Sequence, residues 1–168
     1  MGVLVALFGW TVAHNMVYTY IQPLTSGVGI ALGVDVVLLF FGISAGISIL
    51  LTAVVVDKRL FLTGLISGAL MLLGFLLLSV PAAPNYFFIS GIIVWGLGFG
   101  GAPTVLQTAL ARNAVNLADI AQSFFVTIFN FGVGIGGALG GAISSLWGVS
   151  SLSIGAVSYT HLTLPTNR

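Results

Sequence analysis

From Val36 to Val56 the chain has no charged side chain and no proline, and from Leu60 to Val80 the same holds again. Each run matches the roughly 20 apolar residues that a helix needs to cross the hydrocarbon core of a bilayer. Only Asp57, Lys58 and Arg59 separate them. In lipid, every backbone N–H and C=O must be satisfied by the protein, and a helix does this within one segment. The charge content agrees. Asp, Glu, Lys and Arg make up 4% of the residues and the mean hydropathy is +1.21, whereas a soluble domain carries roughly a quarter charged residues. No period-2 alternation supports a transmembrane β-barrel. The expected fold is therefore an all-α, polytopic transmembrane helix bundle of about five spans, with the lipid bilayer as its first partner.

The five expected spans lie near Gly2–Ile21, Val36–Val56, Leu60–Val80, Tyr86–Leu110 and Ile120–Leu146. Turn signals fill the breaks. Pro23 and Gly27 to Gly33 close the first span, Asp57-Lys58-Arg59 the second, Pro81 and Pro84 the third, and Arg112 to Asp119 the fourth. Lys58, Arg59 and Arg112 all fall in the second and fourth breaks, which share one side of the membrane. By the positive-inside rule that side is cytoplasmic, so Met1 lies inside and Asp35 and Pro84 outside. Trp147 and Tyr86 fall at expected interfaces, and Trp10 near mid-span. Arg112 and Asp119 flank a short loop and could pair. The first stretch lacks the charged start and Ala-x-Ala end of a cleaved leader and reads as a true span. A sixth apolar stretch, 152–157, is too short to cross. The expected organisation is one helical lobe, 1–157, and a polar tail, 158–168, that breaks the pattern.

The same composition closes off several functions. There is no basic patch to neutralise phosphates, so no nucleic acid partner is expected. Cysteine is absent and two histidines stand apart from three scattered aspartates, so neither a disulfide framework nor a metal site is expected. No paired carboxylates and no nucleophile–base pair support an enzyme, and no cofactor is implied. Gly96-x-Gly98-x-x-Gly101 and Gly132-x-Gly134-x-x-Gly137 match a dinucleotide fingerprint formally. Both lie inside apolar spans rather than after a strand in a βαβ unit, so they are not nucleotide sites.

Polar side chains at membrane depth usually face a bundle interior or a wet cavity. In the first span Thr11, His14 or Asn15, Tyr18 and Gln22 recur at three- and four-residue spacing and share a face. They read as a substrate-cavity wall, against the alternative of helix–helix hydrogen bonding. An imidazole can carry a proton at neutral pH, so His14 could relay one; the alternative is a neutral, hydrogen-bonded ring. In the fourth span Thr104 and Gln107 follow Pro103, which breaks the helical ladder and gives either a gating bend or a static kink. In the fifth, Ser123, Thr127 or Asn130, Gly134, Gly137 and Gly141 share one side, with Gln122 beside them. Asn130 is the candidate ligand-contacting amide there. Gly132, Gly136 and Gly140, with Gly137 and Gly141, repeat at four and read as close helix packing. Asp57, Lys58 and Arg59 read as cytoplasmic loop charges that set topology.

Three stretches together resemble the major facilitator superfamily, in its bacterial drug–proton antiporter and sugar-efflux branch. His14-Asn15-Met-Val-Tyr18-Thr-Tyr20-Ile-Gln22-Pro23 resembles the seventh helix of that branch. Trp95-Gly-Leu-Gly-Phe-Gly100-Gly101-Ala-Pro103-Thr104-Val-Leu-Gln107 resembles its tenth. Ala121-Gln122-Ser123 through Asn130 to Gly136-Gly137-Ala-Leu-Gly140-Gly141 resembles its eleventh. Asp57-Lys58-Arg59 sits where the family has a basic loop signature, here without its leading Gly. The likeness runs from about Val5 to Gly148. It implies helices seven to eleven of twelve, with the N-terminal lobe missing, and a tail from about Ser158 that resembles translated sequencing-adaptor read-through. It also implies a fragment of a secondary transporter in the bacterial cytoplasmic membrane that exports a small-molecule substrate, a drug or a sugar. Export would run by alternating access with the proton as coupling ion, and the chain alone would not transport. The contrasting expectation is a stand-alone oligomeric scaffold or pore that assembles through its glycine-rich faces.

Overall fold

The computed structural model describes residues 2–30, 32–80, 84–114 and 117–162, and all regular structure among them is helical. The helices are α1 (Gly2–Tyr18), α2 (Ile21–Val28), α3 (Val34–Leu78), α4 (Asn85–Gly100), α5 (Ala102–Asn113), α6 (Ala118–Trp147) and α7 (Leu152–Leu162), with a 3-10 turn at Val149–Ser151 before α7. Three stretches are long and apolar enough to cross a membrane: Val34–Leu78, Asn85–Asn113 and Ala118–Trp147. A fourth forms if α1 and α2 are taken as one span broken by a 53° bend.

The longest helix is two spans joined at a fold. Arg59 leaves the helical region, at φ −139° and ψ 47°. The contacts of α4 give the direction of each arm. Gly96 meets Phe41 and Ser44, Gly100 meets Ala45, and Gly101 meets Ser48 and Thr52, so arm 34–58 runs parallel to α4. Gly91 meets Leu78, Gly98 meets Met71 and Ser67, and Gly64 meets Val105, so arm 60–78 runs antiparallel. The two arms form a hairpin with α4 held between them. Counted separately they bring the membrane-length segments to five.

Arm 34–58 is patterned inside out. Leu39, Ile43, Ile47, Leu50 and Val54 are exposed, while Ser44, Ser48 and Thr52 are buried. Lipid tails are as apolar as leucine, so hiding leucine gains little here. Small residues win the interior because they let helices approach and bond. Ser48 shows how. Its hydroxyl donates to the Leu97 carbonyl at 2.6 Å and accepts from the Gly101 N–H at 3.1 Å. Those two groups would pair with each other in an unbroken helix. A side chain inserted into the ladder opens it, and α4 gives way to α5 at this point. Pro103 sits in the first turn of α5, where its missing N–H costs least.

The first span departs from the expected one. It does not close at Pro23. It bends at Thr19–Tyr20 and resumes as α2 to Val28, where Gly29 caps it at φ 70°. The ring of a proline clashes with the carbonyl four residues before it. For Pro23 that carbonyl belongs to Thr19, where the helix breaks. A second difference lies at the polar end. Arg112 pairs with Asp57, not Asp119: its Nη2 lies 2.8 Å from the Asp57 carbonyl and 3.2 Å from Oδ1. The pair joins the second and fourth breaks, and both side chains are exposed, so it stabilises by at most about 1 kcal/mol.

α6 lies on α1. A Cβ at Gly132 would meet Thr11, at Gly136 Val12 and Asn15, and at Gly140 Met16 and Tyr20. α7 packs on α1 and α3 with Leu152, Ser153, Ala156 and Thr160 buried. The helix continues past Ser158 to Leu162, where the sequence pattern suggested a break. Met1, Pro81 and the tail beyond Leu162 lie outside the described residues.

Candidate functional site

His14 is buried on α1, far in sequence from the nearest carboxylate, Asp35 on α3, and surrounded by rings. Its imidazole stacks on Phe99 at a centroid separation of 3.5 Å, with the planes 3° apart. Tyr18, one turn along the same helix, stacks at 5.1 Å. Trp95 lies 5.2 Å away and Phe41 5.8 Å away. Trp95 in turn packs on Phe41 at 4.6 Å and on Phe75 at 5.6 Å. Three spans therefore converge on one histidine: α1 supplies His14 and Tyr18, α3 supplies Phe41, and α4 supplies Trp95 and Phe99. The glycines of α4 set this distance, because Gly96 and Gly100 let its backbone close on arm 34–58 beside the rings.

The cluster is unusual in its polar accounting. His14 Nδ1, Trp95 Nε1 and Trp10 Nε1 are buried and have no hydrogen-bond partner among the described residues. Each such group left unpaired costs on the order of 1–3 kcal/mol. Two of the three sit in adjacent rings of the same cluster. Tyr18 is 40% exposed and forms its open edge. The arrangement can offer the exposed ring of Tyr18 as a stacking face to a planar organic solute; the His14 and Trp95 nitrogens are closed off behind it.

The remaining candidates divide by where they point. Thr11 is buried against Gly132, and Asn15 is half-buried against Gly136, donating from Nδ2 to the Thr11 carbonyl at 2.9 Å. These two serve the α1–α6 contact. Gln22 is exposed on α2 beyond the bend, and Thr104 and Gln107 are half-buried and exposed on α5. Gln122 and Asn130 are exposed on α6, where Asn130 donates to the Val126 carbonyl at 2.8 Å. Ser123, Thr127, Asn130 and Gly134 lie on the side of α6 opposite Gly132, Gly136 and Gly140, and all four are exposed. Gly137 and Gly141 reach only Tyr20 and Thr19; the Tyr20 hydroxyl donates to the Gly137 carbonyl at 3.0 Å. Asp57 is tied to Arg112, and Lys58 and Arg59 are exposed at the fold of α3.

Phe41, Trp95 and Phe99 were not among the expected site residues. Trp95 and Phe99 are spaced by four and so share a helix face, which is visible in the sequence. Nothing local links them to His14 or Phe41. Among the described residues no group of three or more His, Asp or Glu could hold a metal ion. No known family model matches the chain.

Proposed function

We propose that this chain is a lobe of a secondary transporter of a bacterial cytoplasmic membrane. In this reading it exports a small organic solute, a drug or a sugar, in exchange for protons, by alternating access against a second helical lobe. The likeness of its first, fourth and fifth spans to a drug-efflux branch of the major facilitator superfamily motivates the reading. The observation that carries it is the bent first span with His14 and Tyr18 in an aromatic cluster that holds unpaired buried ring nitrogens. Transporters commonly place substrate sites where broken helices meet at membrane depth. The exposed polar side of α6, with Ser123, Thr127 and Asn130, supports a protein- or water-facing surface there, since hydrocarbon is a poor environment for such groups.

The cluster favours planar aromatic solutes, cationic ones in particular, because ring faces attract cations. Ethidium is a suitable probe. Titrated into the purified protein in detergent, it should bind saturably by fluorescence anisotropy, and Tyr18→Ala should weaken binding by about fivefold. Tyr18 is exposed, so this change spares the packed interior. Binding that never saturates, or that Tyr18→Ala leaves unchanged, would remove the solute site. A stable homo-oligomer with no ethidium binding would instead favour the scaffold or pore reading, for which the open side of α6 at Gly134 offers a contact surface.

A further inference from the structure

We propose that the ring cluster is a cage for one planar heteroaromatic ring of the solute, and that His14 fills it as a displaceable stand-in. The proposal deepens the solute-site reading and rests on it for the ligand's route past Tyr18. The cage has two parts. Tyr18, Phe41 and Trp95 touch one another: Tyr18 lies 5.7 Å from Phe41 and 6.3 Å from Trp95, and Phe41 lies 4.6 Å from Trp95. Among the described residues Phe99 has no ring contact with these three and joins them only through His14. The imidazole is thus a wedge. Phe99 stacks on it at 3.5 Å from one side, and Tyr18 at 5.1 Å from another. Without it, a gap of one ring would separate Phe99 from the other three.

Two features separate this wedge from an ordinary core histidine. The first is that the walls are fixed by backbone and the wedge is not. A Cβ at Gly74 would stand 2.7 Å from the Trp95 nitrogen, and one at Gly96 would stand 2.8 Å from the Phe41 carbonyl oxygen. Trp95 and Phe41 are therefore carried on backbones in direct contact with neighbouring spans. The His14 side chain makes no hydrogen bond among the described residues and is held by stacking alone. An imidazole turns on two torsions, and Tyr18 forms the open edge beside it. The second feature is that His14 suits the cage by shape and not by polarity. A neutral imidazole has an acceptor nitrogen and an indole N–H is a donor, yet His14 Nδ1 and Trp95 Nε1 are both buried without a partner. Burying polar groups in this way is unfavourable, and a ring kept there for packing alone would serve better as phenylalanine. A solute ring whose acceptor meets Trp95 Nε1 recovers one bond, and His14 recovers its own on reaching water. Both gains favour exchange. The ligand class is a five- or six-membered aromatic ring with a hydrogen-bond acceptor.

The test uses pyridine as the probe and the purified chain in detergent, with two readouts. The first is thermal unfolding. His14→Ala empties the cage, and His14→Phe fills it with a ring that water does not reclaim. Pyridine should raise the midpoint of His14→Ala saturably and leave His14→Phe unchanged. It should act on the wild-type chain about tenfold more weakly, because one or two ring stacks must first break. The second readout is NMR of the wild-type chain, whose two histidines are His14 and His161. Stacking on Phe99 shifts the His14 imidazole signal away from that of His161, which is exposed on α7. Pyridine should move the His14 signal to the exposed position. Equal stabilisation of all three chains would overturn the proposal, as would a folded His14→Ala variant that pyridine does not stabilise. A His14 signal that pyridine leaves unmoved overturns it even where His14→Ala fails to fold. If ethidium binding depends on Tyr18 while that signal stays unmoved, the cage is overturned and the surface site stands. If pyridine stabilises His14→Ala and moves the signal while ethidium fails to bind, the cage stands and the ethidium site falls.

Discussion

At Gly98 a methyl group would stand 2.5 Å from the Met71 backbone nitrogen and 2.9 Å from the Ser67 carbonyl oxygen. Backbone cannot step aside as a flexible side chain can, so α4 and arm 60–78 would have to separate. Overpacking of this kind costs roughly 1–3 kcal/mol. Gly134 lies at the other extreme, with nothing within 4 Å of the same added atom. Gly98→Ala should therefore lower the midpoint of thermal unfolding in detergent. Gly134→Ala should leave it unchanged or raise it slightly, since alanine is favoured over glycine in a helix by up to about 1 kcal/mol. Equal effects would mean that α4 is not seated between the arms as described. At this scale the sequence was only partly legible. The four-residue repeat of Gly132, Gly136 and Gly140 advertises close approach, and the structure puts α1 there. The face that Ser123, Thr127 and Asn130 share was also readable, because it depends on helical period alone. Which glycine meets which backbone was not, since Gly98 and Met71 are brought together only by the hairpin.

Among the elements, the bent first span shows best what local chemistry can and cannot specify. A proline inside an apolar run can end a helix or bend it. Taken alone, Pro23 suggested an ending near Ile21. Instead the helix resumes at Ile21 for eight residues, because Ile21 and Leu24 are buried in the bundle and hold α2 in place. Pro23→Ala restores the N–H that Thr19 lacks as a partner and should straighten the span. Spin labels at residues 8 and 28 should then move apart by about 3 Å, from the helical rise and the 53° bend. An unchanged distance would assign the bend to packing of α2 rather than to the proline ring. The fold at Arg59 is the opposite case. Three charged residues between two apolar runs leave few alternatives to a turn at the membrane surface, and that boundary was legible to within a residue. The break at Gly101 falls between these. Pro103 pointed to it, but the hydroxyl that holds it open comes from Ser48 on another span, and no local pattern encodes that.

For the whole molecule, the governing idea is that five membrane-length segments alternate across the bilayer with both basic breaks on one side. The contact of Arg112 with Asp57 joins those breaks directly. The aromatic cluster around His14 depends on this arrangement, since it is built from spans distant in sequence. That dependence is why the span pattern could be read from composition while the cluster could not: hydropathy reports depth, and only packing reports neighbours. The chain has no cysteine, so single cysteines can be introduced without a background. The decisive measurement is labelling of Ser26→Cys, Lys58→Cys, Asn85→Cys and Asn113→Cys, one at a time, with a membrane-impermeant maleimide in intact bacterial cells. Ser26→Cys and Asn85→Cys should react in intact cells, and Lys58→Cys and Asn113→Cys only after the membrane is permeabilised. Reaction of Lys58→Cys together with Asn85→Cys, or of Lys58→Cys and Asn113→Cys from opposite sides, would contradict the account.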